Sequence, residues 1–498
     1  MSGEETQRNV FGAETASSLV KELRDNFGKG TTRSYEWRVS QVKALLKAVV
    51  ENEDQIVGAL CSDLAKPPLE TVVYEIGMFK NSCEVILKEL KHWMTPEKVK
   101  TSIRTFPSSA EIVPEPLGVV LVISAWNYPI LLSLDPVVGA IAAGNAVVLK
   151  PSEIAPATSS VLAKLIEKYM DNSFVRVVEG AVDETTALLQ QKWNKIFYTG
   201  NGRVGKIVMT AAAKHLTPVV LELGGKSPVV VDSNNNLLTH SYVNMYLQVA
   251  ARRIIAGKWG LNNGQACISP DYVITTKDYA PKLVDTLKTE LESFYGRNPL
   301  ESEDLSRIVS SNHFARLSKL LNDDKVSGKI VYGGEKDEKK LRIAPTILLD
   351  VPQDSSIMGE EIFGPLLPII TVNKLEESID VINSGAKPLA AYVFTTDNKF
   401  KEQFVKNVSA GGLLVNDTAL HLVVDTLPFG GVGESGMGAY HGKFSFDAFT
   451  HKKAVLYRSF AGDSAIRYPP YTDTKLRLMK ALVGGRILGI IRALFGWS

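Results

Sequence analysis

Cys267 stands in the segment Asn262-Asn263-Gly264-Gln265-Ala266-Cys267-Ile268, between a helical stretch and the strand-like run from Tyr272 to Thr276. A thiol in such a turn reads as a nucleophile. Gly264 permits close backbone approach and Gln265 offers an amide, both suited to a site that admits a substrate. Cys61 and Cys83, the other cysteines, give neither a disulfide framework nor a pair with metal-ligand spacing. Cysteine count alone favours a buried, inert thiol; the flanking residues turn the reading toward chemistry.

A second signal is Gly200-Asn201-Gly202-Arg203-Val204-Gly205, a G-x-G-x-x-G match that follows a strand and opens a helix, the setting in which free helical N–H groups face a pyrophosphate. Glu222 ends the next strand, 222 − 200 = 22 positions on, where that fingerprint has its ribose-binding acid. Lys150-Pro151-Ser152-Glu153 competes for the same role, because it follows directly on the strand Ala146 to Leu149, in the crevice that takes adenosine ribose hydroxyls. The plain alternatives are a glycine turn for the first motif and a solvated turn for the second. If Glu153 holds the ribose, Glu222 is free for chemistry.

The elements that must position these residues alternate along the chain. The first hundred residues carry helical spacing, as at Val42, Leu45, Leu46, Val49 and Val50. From Gly118 the pattern changes to strand Val119 to Ile123, an apolar helix through Ile141 and strand Ala146 to Leu149, which is a βαβ unit. A second unit follows, with strand Ile196 to Thr199, helix Val204 to Lys214, strand Val219 to Glu222 and strand Pro228 to Asp232. Further strands at Tyr272 to Thr276, Pro368 to Thr371, Ala391 to Phe394 and Gly412 to Asn416 read as another α/β domain. The expected class is α/β, with two doubly wound parallel-sheet domains. Residues 1–249 form the first, 250–443 the second, and extended segments within 98–115 and 444–465 form a small arm for pairing with another subunit.

A length of 498 residues allows two or three cores, and 45% hydrophobic with 22% charged residues describes a globular enzyme-sized chain. A net charge of +2 argues against a nucleic-acid partner. Met1 to Arg24 mixes Glu4, Glu5, Glu14 and Glu22 with polar residues and resembles neither a signal nor a transit peptide, so the expected compartment is the cytoplasm.

Four segments, in order, bring these motifs together: Trp126-Asn127-Tyr128-Pro129, Leu221-Glu222-Leu223-Gly224-Gly225-Lys226-Ser227-Pro228, Gly264-Gln265-Ala266-Cys267 and Glu360-Glu361-Ile362-Phe363-Gly364-Pro365. Together they resemble the aldehyde dehydrogenase superfamily over nearly the whole chain. Pro428 to Gly436, with His441-Gly442-Lys443 and Ser445-Phe446, is similar to its class 3 branch, nearest the plant members. The resemblance implies Cys267 as nucleophile, Asn127 as oxyanion donor, Glu222 as general base, Lys150 and Glu153 at the adenosine ribose, and Glu361 and Phe363 at the nicotinamide ribose and ring. It also implies that the turn at Gly200, Asn201 and Gly205 serves the cofactor without being an ordinary fingerprint, Gly202 being a coincidence. NAD is the expected cofactor, with NADP also used, because Lys150 offsets the repulsion between Glu153 and a 2′-phosphate.

The chemistry suits these residue types. A thiolate adds to an aldehyde carbonyl, and donors such as the Asn127 amide and the Cys267 N–H hold the developing oxyanion, at about 3–4 kcal/mol per donor removed. Loss of hydride leaves a thioester, which water attacks with Glu222 as base. The base favours hydrolysis over acyl transfer to coenzyme A. Trp126 and Tyr128 beside Asn127, with an apolar tail, point to medium or long aliphatic aldehydes and a role in aldehyde detoxification, and a homodimer is implied.

The sequence departs from the family pattern between Leu237 and Gln248, where about ten residues (238–247) are extra and 267 − 222 = 45 positions separate base from nucleophile. The insertion repositions the site, mediates an interface or is a splicing or gene-model artefact that weakens folding, and the alternative function it raises is that of a catalytically impaired or structural homologue. Residues 470–498 form a second departure, a basic amphipathic tail with Met479, Leu482, Val483, Ile487, Ile490, Ile491 and Leu494 on one side, suited to peripheral membrane contact or to covering the substrate entrance. A protease reading, from Gln265-Ala266-Cys267 with His215, fails at Ser269, where that signature has glycine.

Overall fold

The computed structural model describes residues 11–101, 105, 108–233, 240–460 and 463–484, apart from the side chains of 240–244. Two central sheets organise the larger unit, which comprises the chain to Lys88 and Leu117–Phe449. The first sheet has six strands in the order Gly436–Met437, Val219–Glu222, Lys195–Thr199, Val119–Ile123, Ala146–Lys150 and Val175–Val177. Its pairings are parallel apart from the short Gly436–Met437 edge, which sets Gly436 opposite Glu222. Every residue of Val119–Ile123 and Ala146–Lys150 is buried, as expected of parallel strands covered on both faces. Helix Leu131–Ala142 is buried all round as well, which its apolar sequence requires.

The second sheet has seven strands in the order Ile330–Tyr332, Thr346–Leu349, Leu366–Val372, Tyr272–Thr276, Pro228–Val231, Ala390–Phe394 and Gly412–Val415. It is parallel except at the Ile330–Tyr332 edge. Pro228–Val231, which the sequence groups with the first βαβ series, pairs here with Tyr272–Thr276 and Ala390–Phe394. The chain therefore changes sheets across 223–227, some twenty residues before the boundary expected at 249/250. Glu222 ends a strand of one sheet, and Cys267 stands just before a strand of the other.

The smaller unit, Glu89–Pro116 with the chain from Thr450, holds a three-stranded antiparallel sheet in the order Glu97–Val99, Ser109–Pro116, Thr450–Tyr457. Residues 444–448, read from sequence as arm, belong to the helix Gly442–Ala448 of the larger unit. Helix Asp473–Val483 carries the described part of the tail; its N-cap is Thr472, and none of its residues is buried. The tail's residues 485–498 lie outside the described residues. Of the insertion, 238–239 lie outside them too, while the rest opens the long helix His240–Lys258 that leads toward Cys267. Within it Leu247 is buried, whereas Met245 and Tyr246 are exposed.

Candidate active site

The turn before Cys267 is built from left-handed backbone. Asn262, Asn263 and Gly264 have φ of 50°, 51° and 81° in succession, a conformation that asparagine tolerates and glycine adopts freely. Gly264 is required twice over, because a Cβ there would lie 2.2 Å from the carbonyl oxygen of Gly364. The Gln265 amide is structural: its Nε2 donates to the Asn262 and Arg307 carbonyls at 3.1 and 2.9 Å, and its Oε1 accepts from the Val309 N–H at 3.0 Å.

Cys267 opens onto an apolar cavity of about 380 Å³ whose walls include Tyr74, Tyr128, Leu132, Phe294, Leu420 and Tyr440. The two arginines at this cavity are paired, Arg252 with Glu290 at 2.7 Å and Arg253 with Asp417 at 3.5 Å. Enclosure by protein pushes the Cys267 thiol well above the ordinary range, and the charge of Glu222 pushes it further. Glu222 is itself only 1% exposed, and neither carboxyl oxygen has a nitrogen or oxygen partner among the described residues. Burial raises its pKa to about 7, partly opposed by the neighbouring Cys267 thiol. A carboxyl left unpaired in the interior, with its pKa near neutrality, is what general-base chemistry asks for.

Asn127 is buried in the turn between strand Val119–Ile123 and helix Leu131–Ala142. It is fixed through its backbone, its carbonyl accepting from Lys66 Nζ at 2.9 Å and Asn262 Nδ2 at 3.0 Å. Lys66 forms an ion pair at 2.6 Å with Glu75, and neither side chain is exposed. The other oxygen of Glu75 accepts from the Ile130 and Leu131 N–H groups at 2.8 and 3.3 Å, where the helix begins. Glu70 takes the Tyr128 hydroxyl at 3.0 Å and the Asn262 N–H at 2.7 Å. No motif marks these three residues in the sequence.

The residues expected to meet a dinucleotide stand at the ends of strands and in the turns that follow them. Lys150, at a strand's carboxyl end, pairs with Glu153 at 2.7 Å. Asn201 caps helix Gly202–Ala213, its side chain accepting from the Val204 N–H at 3.0 Å. A Cβ at Gly200 would meet the Tyr198 hydroxyl at 2.2 Å, and one at Gly205 would press on Leu223 at 3.1 Å, while Gly202 has open space. The middle glycine of the match is therefore not demanded by packing. Glu361, raised to about 8 by burial and then by Asp271, lies so close to Gly224 that a Cβ there would be 2.2 Å from its carboxylate. Its loop is pinned by Lys226, which donates to the Ile357 and Glu360 carbonyls at 2.9 Å and pairs with Asp271, and by Asp271 accepting the Ile362 N–H at 3.0 Å. Narrow glycine cradles beside paired ionic side chains at strand ends fit a dinucleotide's phosphates and riboses.

Trp126 was expected at the substrate, yet it is not among the residues lining the cavity; it packs edge-on against Phe363 at 5.4 Å and His313 at 5.2 Å. Tyr128, two positions on, does line the cavity. Phe363, with φ of 50°, is one of the strained positions of the site. His215 follows the far end of helix Gly202–Ala213 and is not among the lining residues, so the cysteine–histidine protease arrangement is absent from the cavity. Lys258, fully buried, has an amine without a hydrogen-bond partner among the described residues, lowered to about 8 by burial.

The family model for aldehyde dehydrogenases matches residues 7–455. The chain belongs to the aldehyde dehydrogenase family. It is 67% identical over 489 residues to aldehyde dehydrogenase family 3 member H1 of Arabidopsis thaliana, covering 98% of this chain and 99% of that one. A rat relative named "aldehyde dehydrogenase, dimeric NADP-preferring" is 46% identical over 91% of this chain and 97% of its own length. The solved substrate-bound state of Staphylococcus aureus AldH superposes with a TM-score of 0.89 at 41% identity, covering 94% of this chain and 99% of that chain. The chain is a class 3 aldehyde dehydrogenase, an enzyme of NAD(P)-dependent aldehyde oxidation, and the reading of the insertion as a sign of a disabled homologue is not supported.

Proposed function

We propose that Cys267 is the nucleophile, Asn127 and the Cys267 N–H the oxyanion donors, and Glu222 the base of a reaction that converts medium and long aliphatic aldehydes to acids. The observation that carries this reading is Glu222, buried, without a nitrogen or oxygen partner among the described residues and raised to about 7, beside the Cys267 thiol on the wall of an apolar cavity. The Cys267 thiol loses its proton to solvent, the thiolate sulfur adds to the carbonyl carbon, and the amide and N–H take the charge that develops on the oxygen. NAD or NADP, when bound, supplies the acceptor for the hydride that leaves that carbon. Lys150 and Glu153 would hold its adenosine ribose, Gly200, Asn201 and Gly205 would make room for the phosphates, and Glu361 with Phe363 would steady the nicotinamide end. Glu222 then takes a proton from the water that cleaves the thioester.

NAD is the preferred cofactor, because the Glu153 carboxylate disfavours a 2′-phosphate, and the partner Lys150 leaves NADP usable. The strands up to 222 serve the cofactor, and those from 228 serve the substrate. The exposed edge of Thr450–Tyr457 suits a homodimer, and the basic, unburied helix Asp473–Val483 suits peripheral contact with an anionic membrane from the cytoplasm. Light scattering and vesicle flotation test these two points. Steady-state kinetics over aldehydes of increasing chain length, with both cofactors, test the substrate reading. kcat/KM should rise with apolar chain length, and a preference for short or charged aldehydes would refute it.

A further inference from the structure

Five buried polar groups, Lys66, Glu70, Glu75, Asn127 and Asn262, form one continuous network that joins the turn of the amide donor to the turn of the nucleophile. Glu70, in the short helix Pro68–Thr71, and Glu75, in the π-type segment Val72–Gly77 that follows it, are five residues apart and both reach the segment from Tyr128 to Leu131. Glu75 and Lys66 hold Asn127 to Leu131 from one side, by the bonds given above. Glu70 does something different. One of its oxygens accepts both the Tyr128 hydroxyl, at 3.0 Å, and the Asn262 N–H, at 2.7 Å. Asn262 in turn donates from Nδ2 to the Asn127 carbonyl at 3.0 Å. A single carboxylate thus spans the two segments that carry the oxyanion donors, at a point where the backbone of Asn262 and Asn263 is held in left-handed conformation.

We propose that Glu70 is a positioning residue for the oxyanion site: by sharing one carboxylate oxygen between Tyr128 and Asn262 it sets the separation of the Asn127 amide from the Cys267 N–H. It touches neither substrate nor cofactor and acts through the two turns. The inference rests on the assignment of Asn127 and Cys267 as the donors. A displacement of about 1 Å in such donors costs on the order of a hundredfold in rate. Their removal touches only reactions in which a carbonyl oxygen gains charge.

Two reactions of the Cys267 thiol separate these effects in the intact protein. Acylation by p-nitrophenyl acetate develops an oxyanion, whereas alkylation by iodoacetamide displaces iodide at a saturated carbon and needs no oxyanion donor. Glu70→Ala is expected to slow acylation about 10- to 100-fold with alkylation within about twofold of wild type. Glu70→Gln, whose carbonyl accepts the same two donors, is expected to restore acylation to within about fivefold. Glu70→Asp keeps the charge and shortens the reach by one methylene. It carries the test where the alanine variant does not fold, and acylation should slow at least about fivefold while alkylation is unchanged. Wild-type acylation in Glu70→Ala, an equal loss in both reactions, or a glutamine variant as slow as the alanine variant would each overturn the proposal. Alkylation is followed on the peptide bearing Cys267, because the exposed Cys61 is alkylated in every variant; Cys267→Ala should lose acylation, and if it keeps it the assignment of the nucleophile fails, a failure visible apart from Glu70.

Discussion

Glu222→Gln separates the two halves of the reaction. With a pKa of about 7 in the fold, the wild-type carboxyl is roughly one-tenth ionised at pH 6, half at pH 7 and nine-tenths at pH 8, so deacylation should rise through that window. The amide has no base function, and steady-state kcat should fall about 10²- to 10⁴-fold and lose its inflection near pH 7. The first turnover should be no slower than in wild type, because the anionic Glu222 that raises the Cys267 thiol is gone. Rapid-mixing absorbance of reduced cofactor would then show a burst followed by a slow phase. The same substitution carries a stability signature. The folded pKa of about 7 lies above the ordinary 4.5, so between these pH values the unfolded chain gives up its proton first and native stability falls as pH rises. The full cost is (7 − 4.5) × 1.36, or about 3 kcal/mol, reached near pH 8 and absent below pH 4.5. Glu222→Gln should therefore be more stable than wild type at pH 8 and lose that advantage toward pH 4.5 in denaturant titrations. A variant that chiefly loses affinity for cofactor, with an unchanged kcat inflection, would return Glu222 to the ribose.

Glu153→Gln should narrow the preference for NAD over NADP, since the charge that repels a 2′-phosphate is removed; an unchanged ratio of kcat/KM for the two cofactors would place the discrimination elsewhere. Lys66→Met should cost about 3–5 kcal/mol in denaturant unfolding, because Glu75 is left buried and unpaired. A loss under about 1 kcal/mol would show that water or a neighbour replaces the amine.

The local elements were legible where burial is two-sided. Val119 to Ile123 and Ala146 to Leu149 are continuous apolar runs because both faces are covered, and their strands fall where those runs stand. Which sheet a strand joins is a different matter. Pro228–Val231 looks like its predecessor Val219–Glu222, and only the crossing at 223–227, carried by Gly224 and Gly225, takes it to the other sheet. At the site, Cys267 stood out because Gly264 marks a turn that no other residue fits. Trp126 is not on the wall of this cavity whereas Tyr128 is, because neighbouring residues of a turn point different ways and adjacency to Asn127 does not fix which of them faces the cavity. Lys66, Glu70 and Glu75 gave no signal, for two physical reasons. Glu70 and Glu75 are five residues apart, off the 3.6-residue period, with Glu75 in a π-type segment, and charged residues in an early helical region ordinarily belong to a solvated face.

Trapping the thioester on Cys267 decides whether aldehyde oxidation passes through it. Acid quench of Glu222→Gln mixed with NAD and a long-chain aldehyde, followed by peptide mass spectrometry, should find close to one acyl group per site on the peptide bearing Cys267 and none on Cys61 or Cys83. A burst of reduced cofactor with no acyl mass on Cys267, or with the label on another residue, would show that the reaction does not pass through Cys267.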